Sequence, residues 1–380
     1  MFYTSWILNL SSIISMGLIA FVAPLVLGMV NYGNYVIETT VVLVVAGILE
    51  VIVVVTLNES NLSKRMVPLR SILLFLTIFL VGLVFVFQFI FSSLVPVCLF
   101  LALFFRTSLL AVNTRSNLIT LPMMILSELL FSLAFVSCLF VFISFNREGS
   151  QMLIWTNTIS QVVAGIPLLN SVLKNSTFES SSRVSIRTAL PLILSRLPED
   201  MFYLLIPFIV GVKGGPEDAA ALRIVGSTTK AAAKLTPVRF DTLLFYLKRQ
   251  RNLEHVRPEI SHIVAATIFC LSFILIAQQT LVTVYAIQRA SSILLYSAPF
   301  VVIATILSPV LIVHRAFTLI FTNLLMLATL LICSFFYFDM LTITVITIYV
   351  FYSIFLSYML LKNASIFSDP NVLLKNSLNI

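Results

Sequence analysis

The sequence predicts an all-α membrane protein of about twelve transmembrane helices, in two six-helix lobes related as parallel repeats. Three observations carry that reading. First, 60% of the 380 residues are hydrophobic and only 10% are charged, whereas soluble domains carry about 25% charged residues. Second, apolar runs recur from end to end at roughly the 20 residues a helix needs to cross a hydrocarbon core about 30 Å thick. Third, the two halves echo each other: Pro24-Leu-Val-Leu-Gly28 is matched by Pro207-Phe-Ile-Val-Gly211, and Lys64-Arg65 by Lys248-Arg249, at offsets of 183 and 184.

The runs place spans near residues 6–28, 35–57, 71–91, 93–112, 118–144 and 151–172. A second set lies near 188–211, 219–245, 262–284, 290–312, 316–338 and 340–361. The first run is expected to remain in the membrane, because no charge precedes Glu38 and no small-residue cleavage site follows the run. Between spans one and two, Met29 to Asn34 reads as a short uncharged loop, and Tyr35 and Trp6 read as aromatic anchors at the membrane interface. Prolines within spans, such as Pro122, Pro167 and Pro191, either kink their helices or are simply tolerated there. Cys98, Cys138, Cys270 and Cys333 all fall in apolar runs with no CxxC pair, so neither disulfide, metal nor other cofactor is expected.

Orientation follows from Lys and Arg, which short cytoplasmic loops concentrate. With both termini inside, inner segments hold 14 of the 23, including Lys64, Arg65, Arg115, Lys174 and Lys248, while outer loops hold only Arg147, Lys213 and Arg289. The net charge of +8 therefore reads as topology and not as an affinity for nucleic acid. The implied organisation is an N-lobe over 1–173, a Ser-rich cytoplasmic linker over 174–187, a C-lobe over 188–361 and a cytoplasmic tail over 362–380.

Charges within spans cost roughly 2.5 to 3.5 kcal/mol each on insertion scales and so face protein or water. At about 100° per residue, Arg223, Ser227, Lys230, Lys234 and Asp241 of span eight fall on one stripe, and Arg196, Asp200, Tyr203 and Pro207 of span seven share a face with Glu199 nearby. Spans four and five add Arg106 and Glu128. Arg106, Arg196, Arg223, Lys230 and Lys234 are the candidate ligands of an anion in a basic cavity, since Arg pairs bidentately with phosphate and Lys is a mobile point charge. Plainer readings stand beside this one: Arg223 and Arg239 near span ends can snorkel, and Arg196 with Glu199 or Asp200 can be an ion pair within one helix. Glu128, Glu199 and Asp200 are candidates for ion coupling or for charge pairing with Arg.

Pro24, Gly28 and the stretch Asn31-Tyr32-Gly33-Asn34-Tyr35, with Ala189-Leu-Pro191, Asp200, Pro207 to Gly211 and Gly214-Gly215-Pro216-Glu217-Asp218, resemble the polysaccharide flippases of the multidrug/oligosaccharidyl-lipid/polysaccharide exporter superfamily. The resemblance is a pattern over most of the chain, strongest over residues 10–60 and 188–250. It implies a V of two six-helix lobes with alternating access, in a bacterial inner membrane. The implied substrate is an undecaprenyl-pyrophosphate-linked oligosaccharide, of O-antigen type, moved from the cytoplasmic to the periplasmic leaflet. In that family cationic lumen residues engage pyrophosphate or acidic sugars, a role that carries over here to Arg196, Lys230 and Lys234. Further partners so implied are the O-antigen polymerase and chain-length regulator. The chain is somewhat short for the family, which implies trimmed loops.

Three other classes fit the residues less well. Drug/cation antiporters of the same superfamily need an acidic cavity, and the stripe here is basic. A polymerase or other polytopic glycosyltransferase usually carries a large or acidic external loop, and an acyltransferase needs a deep His, whereas His255, His262 and His314 lie at or near the predicted cytoplasmic face. No enzymatic activity is expected.

Overall fold

The computed structural model of the protein describes residues 2–59, 66–91, 93–115, 121–145, 149–175, 177–179, 201–234, 275–285, 294–297, 321–333 and 341–363, with isolated positions at 190, 193, 268, 272, 273, 287, 299–301 and 303. Among the described residues six helices are long and apolar enough to cross a membrane: Leu10–Leu27, Met29–Val53, Arg70–Phe89, Val95–Val112, Pro122–Ser144 and Ser150–Lys174. These are the first six predicted spans, and the chain is accordingly an all-α membrane protein. Shorter apolar helices at Tyr203–Gly214, Leu275–Val284, Phe321–Cys333 and Ile343–Met359 overlap four of the predicted later spans.

In chain order the elements used below are α1 (Phe2–Gly17), α2 (Ala23–Leu27), α3 (Met29–Glu59), β1 (Met66–Pro68), α4 (Leu69–Val86), α5 (Val95–Arg115), α6 (Leu121–Ser144), α7 (Ser150–Asn175), β2 (Thr177–Glu179), α8 (Ile206–Gly214) and α9 (Pro216–Lys234). Contacts divide the chain into two compact units, one of Ser11–Ile193 with Leu204–Ile224, the other of Met1–Leu10, Leu194–Tyr203 and Val225–Ile380.

The first span is not a uniform helix. A π-helical turn, Leu18–Val22, separates α1 from α2, and Pro24 sits in the first turn of α2, directly after this interruption. Another π turn, Met201–Leu205, precedes α8, and Pro207 occupies the same place in it. The two prolines are 183 residues apart, and so are the starts of the two π turns. Each segment ends at a single glycine whose backbone lies in a region only glycine occupies readily: Gly28 at φ 80, ψ 159 and Gly215 at φ 111, ψ 172. The bonding around them is alike as well. Gly28 N–H donates to Pro24 O and Gly28 O accepts from Tyr32 N–H, as Gly215 N–H donates to Gly211 O and Gly215 O accepts from Ala219 N–H.

This geometry corrects two expectations. Met29 to Asn34 is not a loop but the first turns of α3, because Gly28 alone turns the chain and Tyr32 at once resumes the bonding ladder. Tyr35 is not an interface anchor: it is 2% exposed, and its hydroxyl accepts a hydrogen bond from Asn157 Nδ2 at 2.9 Å. Pro122 is the second residue of α6, so of the two prolines in α6 and α7 only Pro167 interrupts a helix.

Within the first unit α7 packs against α3, α5 and α6. The residues at its centre are small or polar, Ala164 and Ser160 among them fully buried, which lets neighbouring helices approach closely. α4 lies at the opposite extreme. Leu74, Ile78, Val81 and Phe85 are exposed along one side of it, a stripe that water would not tolerate and acyl chains would. Met66–Pro68 pairs in parallel with Thr177–Glu179, joining the segment after α3 to the segment after α7. Four membrane-length helices separate the two strands, an even number, so both ends emerge on one face. Val53, Ile72, Ala111, Val112 and Val172, from the ends of four helices, cluster there, close in sequence to Lys64, Arg65, Arg115 and Lys174.

Because Cβ atoms oppose the backbone of Gly28 and Gly215, Gly28→Ala and Gly215→Ala should each destabilise the protein by about 1–3 kcal/mol. Gly82 is helical, and a methyl group added at its Cα would meet no other atom within 4 Å, so Gly82→Ala should cause no loss. Thermal unfolding of the purified protein in detergent reads the difference.

Candidate functional site

Two groups of the predicted residues are described, and they are built differently. The first is a hydrogen-bonded chain through five helices of the first unit. Ser15 Oγ of α1 donates to Glu128 Oε2 of α6. The other carboxylate oxygen of Glu128 lies 2.8 Å from a guanidinium nitrogen of Arg106 on α5. A second guanidinium nitrogen of Arg106 donates to Gln161 Oε1 on α7 at 3.0 Å, Gln161 Nε2 donates to Asn157 Oδ1 at 3.1 Å, and Asn157 reaches Tyr35 on α3. The Phe131 ring lies below the Arg106 guanidinium, 5.0 Å from centroid to Cζ, a favourable face for a cation.

Each link has a physical cause. Hydrocarbon supplies no partner for a polar group, so the groups that enter it must find partners in one another. Arg106 and Glu128 cancel in charge, and their side chains are 10% and 17% exposed, so the pair is largely out of solvent. Removing one member would strand the other, at a cost of about 3–5 kcal/mol. The guanidinium of Arg106 is thus engaged by a carboxylate, an amide and an aromatic face at once.

The second group lies on α9. Glu217 and Asp218 occupy its first turn, where carboxylates complement the helix dipole. From Leu222 to Thr229 every residue of α9 is buried, Arg223 at 5% exposure and Ser227 at 0%. A helix covered on all sides presents no face to lipid over that length, which disposes of a snorkelling role for Arg223. Ser227 Oγ finds no hydrogen-bond partner among the described residues. Lys230, half-buried, places its ammonium 4.5 Å from the centroid of the Tyr203 ring. The faces read separately from spans seven and eight therefore meet at this pair, within the second unit.

Lys234 closes α9, its side chain lying outside what is described. Arg196, Glu199, Asp200, Arg239 and Asp241 lie outside the described residues. Sequence reasoning singled out Arg106 and Glu128 but missed Ser15, Tyr35, Asn157 and Gln161, which complete their network. The signal was present in α7, where Thr156-Asn157-Thr158-Ile159-Ser160-Gln161 puts five polar residues in six within a span. All five are buried. Among the described residues no group of His, Cys, Asp and Glu is placed to hold a metal ion.

Arg106→Met should lower stability by about 3–5 kcal/mol, and Arg106→Met with Glu128→Leu should recover most of that loss. Unfolding midpoints of the two single variants and the double variant, measured as a cycle in detergent, test the pairing; equal losses in the Arg106 variant and the double variant would contradict it.

The chain matches no known protein-family model and no curated protein.

Proposed function

We propose that the chain is a transmembrane flippase that carries an undecaprenyl-pyrophosphate-linked oligosaccharide, a unit of O-antigen or a similar surface polysaccharide, from the cytoplasmic to the periplasmic leaflet of a bacterial inner membrane. In this reading twelve spans form two parallel six-helix lobes with both termini cytoplasmic, and the lobes rock about a basic central cavity. The observation that carries it is α9, buried from Leu222 to Thr229, which bears Arg223 within that stretch and the half-buried Lys230 directly after it, where apolar residues would cost nothing. Cations held inside a membrane protein are costly, and they are retained where an anion or an ion pathway needs them. A pyrophosphate suits this set: Arg offers a planar fork to two phosphate oxygens, and Lys a point charge that can follow the headgroup.

Two further features support the same reading. The π turn, proline and left-handed glycine recur near equivalent ends of spans one and seven, as expected of a duplicated lobe. Interrupted helices of this kind commonly lie beside transport sites, where freed backbone groups and helix ends can meet a polar cargo. The same-face emergence of the α3 and α7 ends agrees with an even number of spans between two cationic cytoplasmic segments. Arg106 and Glu128, satisfied by each other, act in this scheme as the internal brace of the N-terminal lobe.

Lys230→Ala, Lys234→Ala and Arg196→Ala should each abolish surface polysaccharide in cells that depend on this chain for it, while the variant protein still inserts at normal level. Lys230→Arg should retain part of the activity. Immunoblots of membranes beside gels of extracted surface glycan give the comparison, and wild-type glycan in all three alanine variants would overturn the mechanism.

A further inference from the structure

α4 leaves β1 with a cation in its first turn. Arg70 is exposed there and no acidic residue accompanies it, although the N-terminal end of a helix carries partial positive charge and favours an anion. The guanidinium therefore adds to the charge of the helix end instead of offsetting it. A second exposed cation, Lys174, lies in the last turn of α7. Among the described residues neither side chain has a hydrogen bond or an ion pair. α4 and α7 meet at this end of the first unit: Ile72 and Val172 belong to one buried cluster, and β2, which follows α7, packs against α4. Arg70 stands two residues before Ile72, and Lys174 two residues after Val172, so both cations emerge beside that cluster.

Directly after Arg70 the apolar side of α4 begins. At about 100° per residue, Arg70, Leu74, Val81 and Phe85 fall within roughly 60° of one line, with Leu73 and Ile78 on either side. Leu73, Leu74, Ile78 and Val81 are 47%, 59%, 57% and 63% exposed. From Arg70 to Val81 the helix rises about 16 Å, close to the roughly 15 Å of hydrocarbon in one leaflet. A ligand that matches the whole feature has an anionic head and an apolar chain one leaflet long. A soluble phosphate would answer Arg70 and leave the stripe bare, and a zwitterionic lipid would cover the stripe but bring an ammonium group toward two cations. The backbone is also held in place. Met66 pairs with Thr177, Val67 with Phe178 and Pro68 with Glu179, which ties the start of α4 to the segment after α7. Cations carried on tied elements lose less freedom on binding than cations on a free loop.

We propose that Arg70 and Lys174 seat the phosphate of an anionic two-chain phospholipid, with one acyl chain lying along Leu73, Leu74, Ile78 and Val81. In the proposed topology this face is cytoplasmic, the leaflet whose negative surface attracts cations next to membrane spans. Topology accounts for the sign of the two charges; their meeting beside one cluster, at the head of an exposed stripe of one leaflet's length, is what selects a lipid. The stripe is on the exposed side of α4, so the lipid is a resident of the surrounding bilayer and not a cargo. The site stands whether or not the chain moves a lipid-linked sugar.

The test titrates the purified full-length protein, in a neutral detergent, with phosphatidylglycerol and with phosphatidylcholine of the same acyl chains, and reads bound lipid by native mass spectrometry. A cation beside an anionic lipid is worth about fivefold in affinity, so phosphatidylglycerol should bind roughly 25-fold more tightly than phosphatidylcholine. Arg70→Gln with Lys174→Gln should remove the preference. Lys213→Gln, which takes away an exposed cation of α8, should leave it intact. Both substituted positions of the double variant are exposed, so its unfolding midpoint in phosphatidylcholine should equal that of the unaltered protein, and added phosphatidylglycerol should raise the midpoint of the unaltered protein alone. Glycerol phosphate, which offers the charge without the chains, should not compete. Equal binding of the two lipids by the unaltered protein, or a preference that survives the double substitution, would remove the site. Displacement by glycerol phosphate at the lipid's own concentration would assign it to a soluble anion, and a loss in Lys213→Gln as large as in the double variant would reduce it to overall charge; either result overturns the lipid site.

Discussion

Hydrocarbon offers nothing for a polar group to bond to, and the architecture of this chain follows from that constraint. It forces the backbone into helices, and it makes a buried polar side chain costly unless it meets a partner. The Arg106 and Glu128 pair is the clearest case. Two charges that would each oppose insertion alone are drawn together from neighbouring helices, then extended by Ser15, Gln161, Asn157 and Tyr35 into one hydrogen-bonded chain. Five helices are thereby held in one mutual register, which apolar packing in lipid specifies poorly because acyl chains are as good a neighbour as leucine.

The same constraint explains the contrast between α4 and α7. α4 is apolar past its first turn except for Thr77 and leaves a row of large side chains exposed. α7 is the most polar of the six long helices and the most deeply buried. In water the ordering would be reversed; in a membrane the interior of the protein is the place for polarity. α9 carries the pattern furthest, with threonines, a serine and an arginine all buried in one stretch, and it is on this helix that the transport reading rests.

Helix interruptions supply the other half of the design. A chain made only of unbroken helices braced by a buried ion pair would be rigid. The π turns before α2 and α8, and the single-residue corners at Gly28 and Gly215, interrupt two spans at corresponding points, whereas the ion pair lies between α5 and α6. Rigid bodies joined by short compliant points are what hinge motion between conformations requires.

By itself the sequence determined the membrane class, the positions of the first six spans and the placing of Arg106 and Glu128 inside them, because apolar run length and the cost of a charge in lipid are properties of local composition. It also located the repeated Pro24 and Pro207 segments. What only tertiary structure decided is pairing. That Arg106 chooses Glu128 and Gln161, that Tyr35 leaves the interface for Asn157, and that Lys230 rests over Tyr203 depends on which helices lie side by side, which is set by residues far apart in the chain. The residues from Met29 to Asn34 show the same limit on a smaller scale. Their composition suits a turn, but one glycine at positive φ completes the turn and frees the following residues to pack as helix.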